Sequence, residues 1–219
     1  MVHEDKDLKT EFQVERLALF SDAVFAIAIT LLVIELKIPS AGHPHTDGHL
    51  LEVMGNEFLA KFIGFFVSFT VISLYWVNHH RLFGFLSAQN KKLVWANIQF
   101  LFTIVLMPFS SGFYSEYWFS GLIIPIAFYS INITLSALML LRLWKIVTDP
   151  KNNLCHSLPQ PVLIRYYKMR SLVVPVIFLL SLLCAFFSYQ LSYYLPLAIP
   201  VVLLFIRRYY RKKAPALLQ

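Results

Sequence analysis

Arg16-Leu17-Ala18-Leu19-Phe20-Ser21-Asp22-Ala23-Val24-Phe25-Ala26-Ile27-Ala28-Ile29-Thr30-Leu31-Leu32-Val33-Ile34-Glu35 decides the class of fold. From Ala23 to Ile34 no side chain is charged and Thr30 alone carries a hydroxyl. A helix needs roughly 20 mostly apolar residues to cross about 30 Å of hydrocarbon, and this stretch supplies them. The residues ahead of it are polar, with Glu4, Asp5, Lys6, Asp7, Lys9 and Glu11, so no cleavable signal peptide is visible. The apolar segment reads as its own insertion signal.

Five further stretches have the same character. With the first they span about 17–36, 62–80, 93–113, 118–141, 171–189 and 192–206, the last two joined by a turn at Tyr189-Gln190-Leu191. The expectation is an all-α integral membrane protein with six transmembrane helices per subunit and no re-entrant P-loop. One domain is expected over 1–213, followed by a tail at 214–219. Composition agrees: 58% of the residues are hydrophobic and 14% charged, against about 25% charged in soluble domains. The mean hydropathy is +0.64. The lipid bilayer is therefore the main partner.

The basic residues orient the helices. Lys6, Lys9 and Arg16 precede the first helix; Arg81, Lys91 and Lys92 fall in the second loop. The fourth loop region holds Arg142, Lys145, Lys151, Arg165, Lys168 and Arg170, and the tail holds Arg207, Arg208, Arg211, Lys212 and Lys213. Of the 19 Lys and Arg, only Lys37 and Lys61 lie on the other side. The positive-inside rule then places both termini in the cytoplasm of a multi-pass cell-membrane protein. It also accounts for the net charge of +7 without nucleic acid, which would need a basic face on a soluble scaffold. The two cysteines, Cys155 and Cys184, are in no metal-ligand spacing and read as free thiols.

The longest loop on the outer side, Pro39 to Glu57, carries His43, His45, Asp47 and His49, weak candidates for zinc or copper, since imidazole and carboxylate suit those metals. A solvated loop with accidental histidines explains them as well. Asp149-Pro150, Asn152-Asn153 and Pro159-Gln160-Pro161 mark turns in the fourth loop. Val162 to Arg170 reads as a short basic, aromatic extension of helix five at the headgroups.

Polar groups inside membrane helices are costly and become functional candidates. Asp22 lies about 8 Å inside the cytoplasmic end of helix one. Helix two ends on that side with Trp76, Asn78, His79, His80 and Arg81, and helix three begins there with Trp95, Asn97 and Gln99. Arg16, Ser21, Asp22, His79, His80, Trp95 and Asn97 are therefore expected to meet at one depth. A structural polar clamp is favoured over a proton relay.

Arg16, Phe20, Ser21 and Asp22 form an Arg-x-x-x-Phe-Ser-Asp pattern that resembles the signature of the lysosomal-type potassium channels, the transmembrane protein 175 family. The resemblance extends through Ala23 to Pro39, through Trp76 to Phe83, and to Asn97 and Pro108-Phe109. Helices four to six agree with the family only in number and hydrophobicity. What it implies is a homotetramer whose pore is lined by the first helix of each subunit. Potassium is then the permeant ion, with no cofactor. The family's apolar constriction, five residues after the motif Asp, falls on Ile27, its pore threonine on Thr30, and further apolar rings on Leu31 and Ile34.

Helical geometry at 100° per residue places Phe20, Ala23, Leu31 and Ile34 within about 40° of Ile27, and Thr30 at about 60°. Phe20 and Ala23 would lie at the pore entrance. Ser21 and Asp22 lie about 120° and 140° away, pointing into the subunit. The chain has no Gly-Tyr-Gly, so a carbonyl-lined filter of the usual potassium-channel type is excluded. A hydrophobic constriction can still discriminate, because potassium sheds water more readily than sodium, and dewetting would close the same region.

Two other classes compete. A secondary transporter or proton-permeable carrier would use Asp22 with His79 and His80, although helix one lacks the internal Pro or Gly of a broken transporter helix. A membrane enzyme would need a metal or nucleophile motif; His79-His80 is not His-x-x-x-His, and no Gly-x-Ser-x-Gly occurs.

Overall fold

The computed structural model describes residues 2–36, 46–48, 51, 55, 58–117 and 120–213, and within them all side chains but those of residues 2–9, 59 and 60. Among the described residues there is no strand, and six spans are long and apolar enough to cross a membrane. The 214–219 tail lies outside these residues.

Helix α1 runs from Val2 to Ile34. At 1.5 Å per residue it is about 50 Å long, so its first turns project beyond the hydrocarbon. Hydropathy places its start near residue 17 because only the second half is apolar. No Gly or Pro interrupts the polar first half, and the helix continues through it.

Helix α2 is Leu59–Phe83, with His80 and Arg81 in its last turn, where cations oppose the negative end of the helix dipole. Asn90 then caps the next helix, its side chain accepting from Leu93 N at 2.8 Å. The expected third helix is two pieces, α3 (Lys91–Val105) and α4 (Met107–Glu116), meeting at Leu106. Pro108 has no N–H to offer the Ile104 carbonyl, and its ring crowds that oxygen, so the span bends there.

Helix α5 covers Ile123–Val147, later at both ends than the expected 118–141. Gly121 holds φ +70° in the preceding turn, a conformation a side chain disfavours. At the other end Arg142 and Lys145 are exposed while Leu143, Trp144, Ile146 and Val147 are buried, so the helix passes the charges without burying them. Helix α6, Pro161–Ala185, begins ten residues earlier than the apolar run suggests. Pro161 suits a first helical position, and the basic, aromatic segment after it is helical.

The final span is also broken. Ser188, not the Tyr189-Gln190-Leu191 segment, is the turn: it caps α7 (Tyr189–Tyr194), which passes through a 3-10 turn at Leu195–Ala198 into α8 (Ile199–Lys213). Pro196 and Pro200 withhold two helical donors there.

Helix α5 is the core of the bundle, packed on α3, α4 and α6, with Tyr129, Ile133, Leu140, Leu143 and Trp144 fully buried. Helix α1 leans on α2, α3 and α4, and α8 leans on α6. Helices α2 and α4 approach closely where small residues face each other. A Cβ on Gly64 would stand 3.1 Å from Ser115 Cβ, and Ser68 Oγ lies 2.5 Å from Ser111 Oγ and 2.7 Å from the Tyr129 hydroxyl. Small residues with interhelical hydrogen bonds are the usual means of helix association where no water drives it.

Candidate functional site

The two faces of α1 differ. Val14, Ser21, Phe25, Ala28 and Leu32 are buried, and their positions centre about 130° around the helix from Ile27. On the opposite side Phe20 is 55% exposed, Ile27 59%, Leu31 39% and Ile34 68%, with Ala23 and Thr30 exposed among them. Thr30 Oγ1 donates to the Ile27 carbonyl at 2.9 Å. That bond folds the hydroxyl hydrogen back on the helix and leaves the oxygen lone pairs facing outward. A single subunit thus presents a continuous apolar stripe with one hydroxyl in it.

The buried face is polar at one level. Asn97 Nδ2 donates to Ser21 Oγ at 2.8 Å, and Ser21 Oγ donates to the Leu17 carbonyl at 2.8 Å. Because the Asn97 amide nitrogen is committed to Ser21, its oxygen is the group facing His79 Nε2, 2.8 Å away. His79 therefore carries its proton on Nε2, an assignment made by the network. The imidazole stacks on Phe83 at 4.1 Å and on Phe100 at 5.4 Å, and it tilts against Phe25 at 5.7 Å. His79 Nδ1 has no hydrogen-bond partner. Helices α1, α2 and α3 are joined by this chain, which runs in one direction from imidazole to backbone carbonyl.

Asp22 belongs to a second contact. Its Oδ1 accepts from the Trp76 indole at 2.9 Å, and Trp76 stacks on His80 at 5.4 Å. An open crevice lined by Glu15, Ala18, Asp22, His80, Phe83 and Gly84 runs beside it. Trp76 shares the depth of the expected clamp, and as a half-buried indole it needs an acceptor, which Asp22 supplies.

Two expected clamp members stand apart. Arg16 is exposed, with its guanidinium 5.9 Å from the Phe12 ring; six residues before Asp22, it projects about 120° away from it. Trp95 is 65% exposed, because two residues before Asn97 it points about 200° around α3. It heads an outward row with Ile98, Phe102 and Val105.

Other buried polar groups tie the rest of the bundle. Asn78 Nδ2 donates to the Tyr167 carbonyl at 3.1 Å and lies 2.5 Å from Ser171 Oγ, while its oxygen accepts from Trp144 Nε1 at 3.0 Å. Asn132 Nδ2 donates to Ser110 Oγ at 3.0 Å beside the Pro108 bend. His43, His45 and His49 lie outside the described residues. Among those described, no three metal-ligating side chains gather.

With this geometry in place, the comparisons with known proteins fall on the same part of the chain. Residues 16–108 match the family model of the endosomal/lysosomal potassium channel TMEM175. That segment holds all of α1 from Arg16, both bonded partners on α2 and α3, and the Pro108 bend. A protein of Streptomyces collinus called a potassium channel is 36% identical over 47% of this chain and 48% of its own length. Another from Chryseobacterium, also called a potassium channel, is 35% identical over 56% of this chain and 59% of its own. The chain thus spans about half the length of the curated relatives it matches. The crystal structure of a lysosomal potassium-selective channel TMEM175 homolog from Chamaesiphon minutus superposes with a TM-score of 0.68. The superposition covers 91% of this chain and 99% of that one, at 24% identity. The likeness shows that the fold, including α5 to α8, is shared with that TMEM175 homolog.

Proposed function

We propose that this chain is one subunit of a potassium-selective channel of the cell membrane, with both termini cytoplasmic. Four copies enclose a pore lined by α1. Phe20 and Ala23 stand at its entrance, and Ile27, Thr30, Leu31 and Ile34 form the constriction that serves as filter and gate. The observation that carries this reading is the division of α1: its buried face is bonded into the subunit, while an apolar stripe with a single hydroxyl is left for other copies and the ion path. The bacterial relatives called potassium channels support potassium as the ion, whereas vertebrate relatives are called endosomal/lysosomal proton channels, so the proton is the ion to test against it.

Selection in such a pore comes from dehydration. The Ile27 side chains offer no ligand, so an ion must lose water to pass, and potassium loses it at lower cost than sodium. Thr30, one turn further on, offers outward lone pairs to the partly stripped ion. Single dewetted rings also block conduction when they narrow.

The bonds behind α1 favour this over a carrier that exchanges protons at His79. The chain from His79 through Asn97 ends on a backbone carbonyl, and an amide is not a proton carrier. Purified protein in liposomes tests the proposal under separate potassium, sodium and proton gradients. A potassium leak well above the sodium leak, without a coupled gradient, supports it; flux that saturates and requires a second gradient overturns it.

A further inference from the structure

The first turns of α6 and the last turns of α8 lie side by side. Tyr166 and Tyr210, both buried, touch with ring centroids 5.4 Å apart. The two helices run in opposite directions, so Arg170, one turn along α6, and Arg207, one turn back along α8, come to about the same depth. Arg170 lies about 40° around α6 from Tyr166 and Arg207 about 60° around α8 from Tyr210, so both flank the seam. Arg81, at the end of α2, and Arg170 both lie close enough to Tyr167 to act on it electrostatically.

Among the described residues no acidic side chain pairs with this group. From Pro150 to Lys213 there is no Asp or Glu. Asp149, the nearest acid in sequence, is turned to its own loop, where it accepts from Lys151 N at 3.1 Å. Among the described residues the one ion pair is Lys61 with Glu116, at 3.0 Å at the opposite end of the bundle. Like charges gathered beside apolar helices repel unless an external anion joins them. The tyrosines indicate where that anion is: Tyr166, Tyr167, Tyr209 and Tyr210 form a polar-tipped aromatic cluster of the kind that sits at the headgroup level. Guanidinium pairs at that level match phosphate oxygens in geometry and charge.

We propose that the seam between α6 and α8 binds the phosphodiester headgroup of an anionic lipid, held between Arg170 and Arg207. The site is independent of what the pore conducts. The positive-inside pattern alone explains why basic residues face this side, but not the placement of two of them at one depth on helices joined by a tyrosine contact.

The test uses the full chain in detergent, equilibrated with mixed micelles of equal phosphatidylglycerol and phosphatidylcholine, with bound lipid counted by native mass spectrometry. Several-fold enrichment of phosphatidylglycerol is expected for the unaltered protein. It should be lost in the Arg170→Gln/Arg207→Gln variant and kept in Lys91→Gln/Lys92→Gln, which removes the same charge from α3. Inorganic phosphate at equal concentration should displace little of the lipid. No enrichment in the unaltered protein, equal loss in both variants, or ready displacement by phosphate would each overturn the proposal. Measurement on the unaltered chain keeps the test valid if a variant fails to fold.

Discussion

His79 Nε2 lies 2.8 Å from Asn97 Oδ1, and the direction of this bond is fixed together with that of the Asn97–Ser21 bond, which joins α3 to α1. Exchanging the amide ends of Asn97 would turn the chain around, with Ser21 Oγ donating to Asn97 and His79 Nε2 accepting from it, and the Leu17 carbonyl would lose the Ser21 hydroxyl.

Asn97→Leu removes both interhelical bonds and strands a buried N–H on His79. Measured interhelical bonds contribute about 0.6–2 kcal/mol each in membranes, so a loss of about 1–4 kcal/mol in unfolding free energy is expected. Ser21→Ala removes one of the two and should cost less than half as much. Detergent or steric-trap unfolding checks the order; equal costs would remove Asn97 from the centre of the chain.

Trp76→Phe keeps an aromatic body against His80 but deletes the donor to Asp22. A hydrogen bond to a charged group contributes about 1.5–3 kcal/mol. Destabilisation of that size is expected, and Asp22→Asn, which keeps an acceptor for the indole, should cost less. The melting temperatures of the purified variants decide between these.

The sequence made the number of membrane spans legible, because hydropathy follows from the bilayer. It also brought Ser21, Asp22, His79 and Asn97 to one depth, since depth depends only on counting residues along a helix. What it left open is azimuth across helices. Arg16 and Trp95 share the depth of the clamp but project elsewhere. The start of helix one outside the hydrocarbon was equally hidden: Val2–Arg16 is helical because nothing in it breaks a helix, not because it is apolar, whereas the helical extension at Val162–Arg170 was legible from its basic, aromatic pattern. The breaks at Leu106 and Leu195 follow from Pro108 and Pro196, whose effect on a span was foreseeable but not its place.

Two glycines separate close packing from loose packing. A Cβ on Gly112 would run into the Glu35 carboxylate, the free end of a flexible side chain, whereas one on Gly64 would stand 3.1 Å from Ser115 Cβ, fixed to α4. Gly112→Ala should therefore displace Glu35 at little cost, and Gly64→Ala should force α2 and α4 apart at about 1–3 kcal/mol. Thermal unfolding of the two variants gives the comparison; the reverse order would contradict the packing described.

Cys155 is a free thiol in the loop before α6, with Sγ 3.6 Å from the Val147 carbonyl, and burial raises its pKa. A raised thiol pKa means less thiolate at any given pH, so alkylation is slowed at neutral pH and recovers only as pH rises. Maleimide labelling of a Cys184→Ala variant between neutral and alkaline pH checks the sign. A rate at neutral pH equal to that of an unhindered thiol peptide would contradict it.

Ile27 on α1 and Ile131 on α5 are the same residue with nearly the same exposure in the single subunit, 59% and 56%. If the α1 stripe lines the ion path and the α5 face meets lipid, an asparagine should act differently at the two sites. The direct measurement is potassium and sodium current through reconstituted protein for Ile27→Asn and Ile131→Asn. Ile27→Asn should raise conductance several-fold and bring the potassium-to-sodium ratio toward one, with Ile131→Asn keeping the unaltered selectivity. Unchanged currents in Ile27→Asn, or the same change in both variants, would contradict a pore lined by α1.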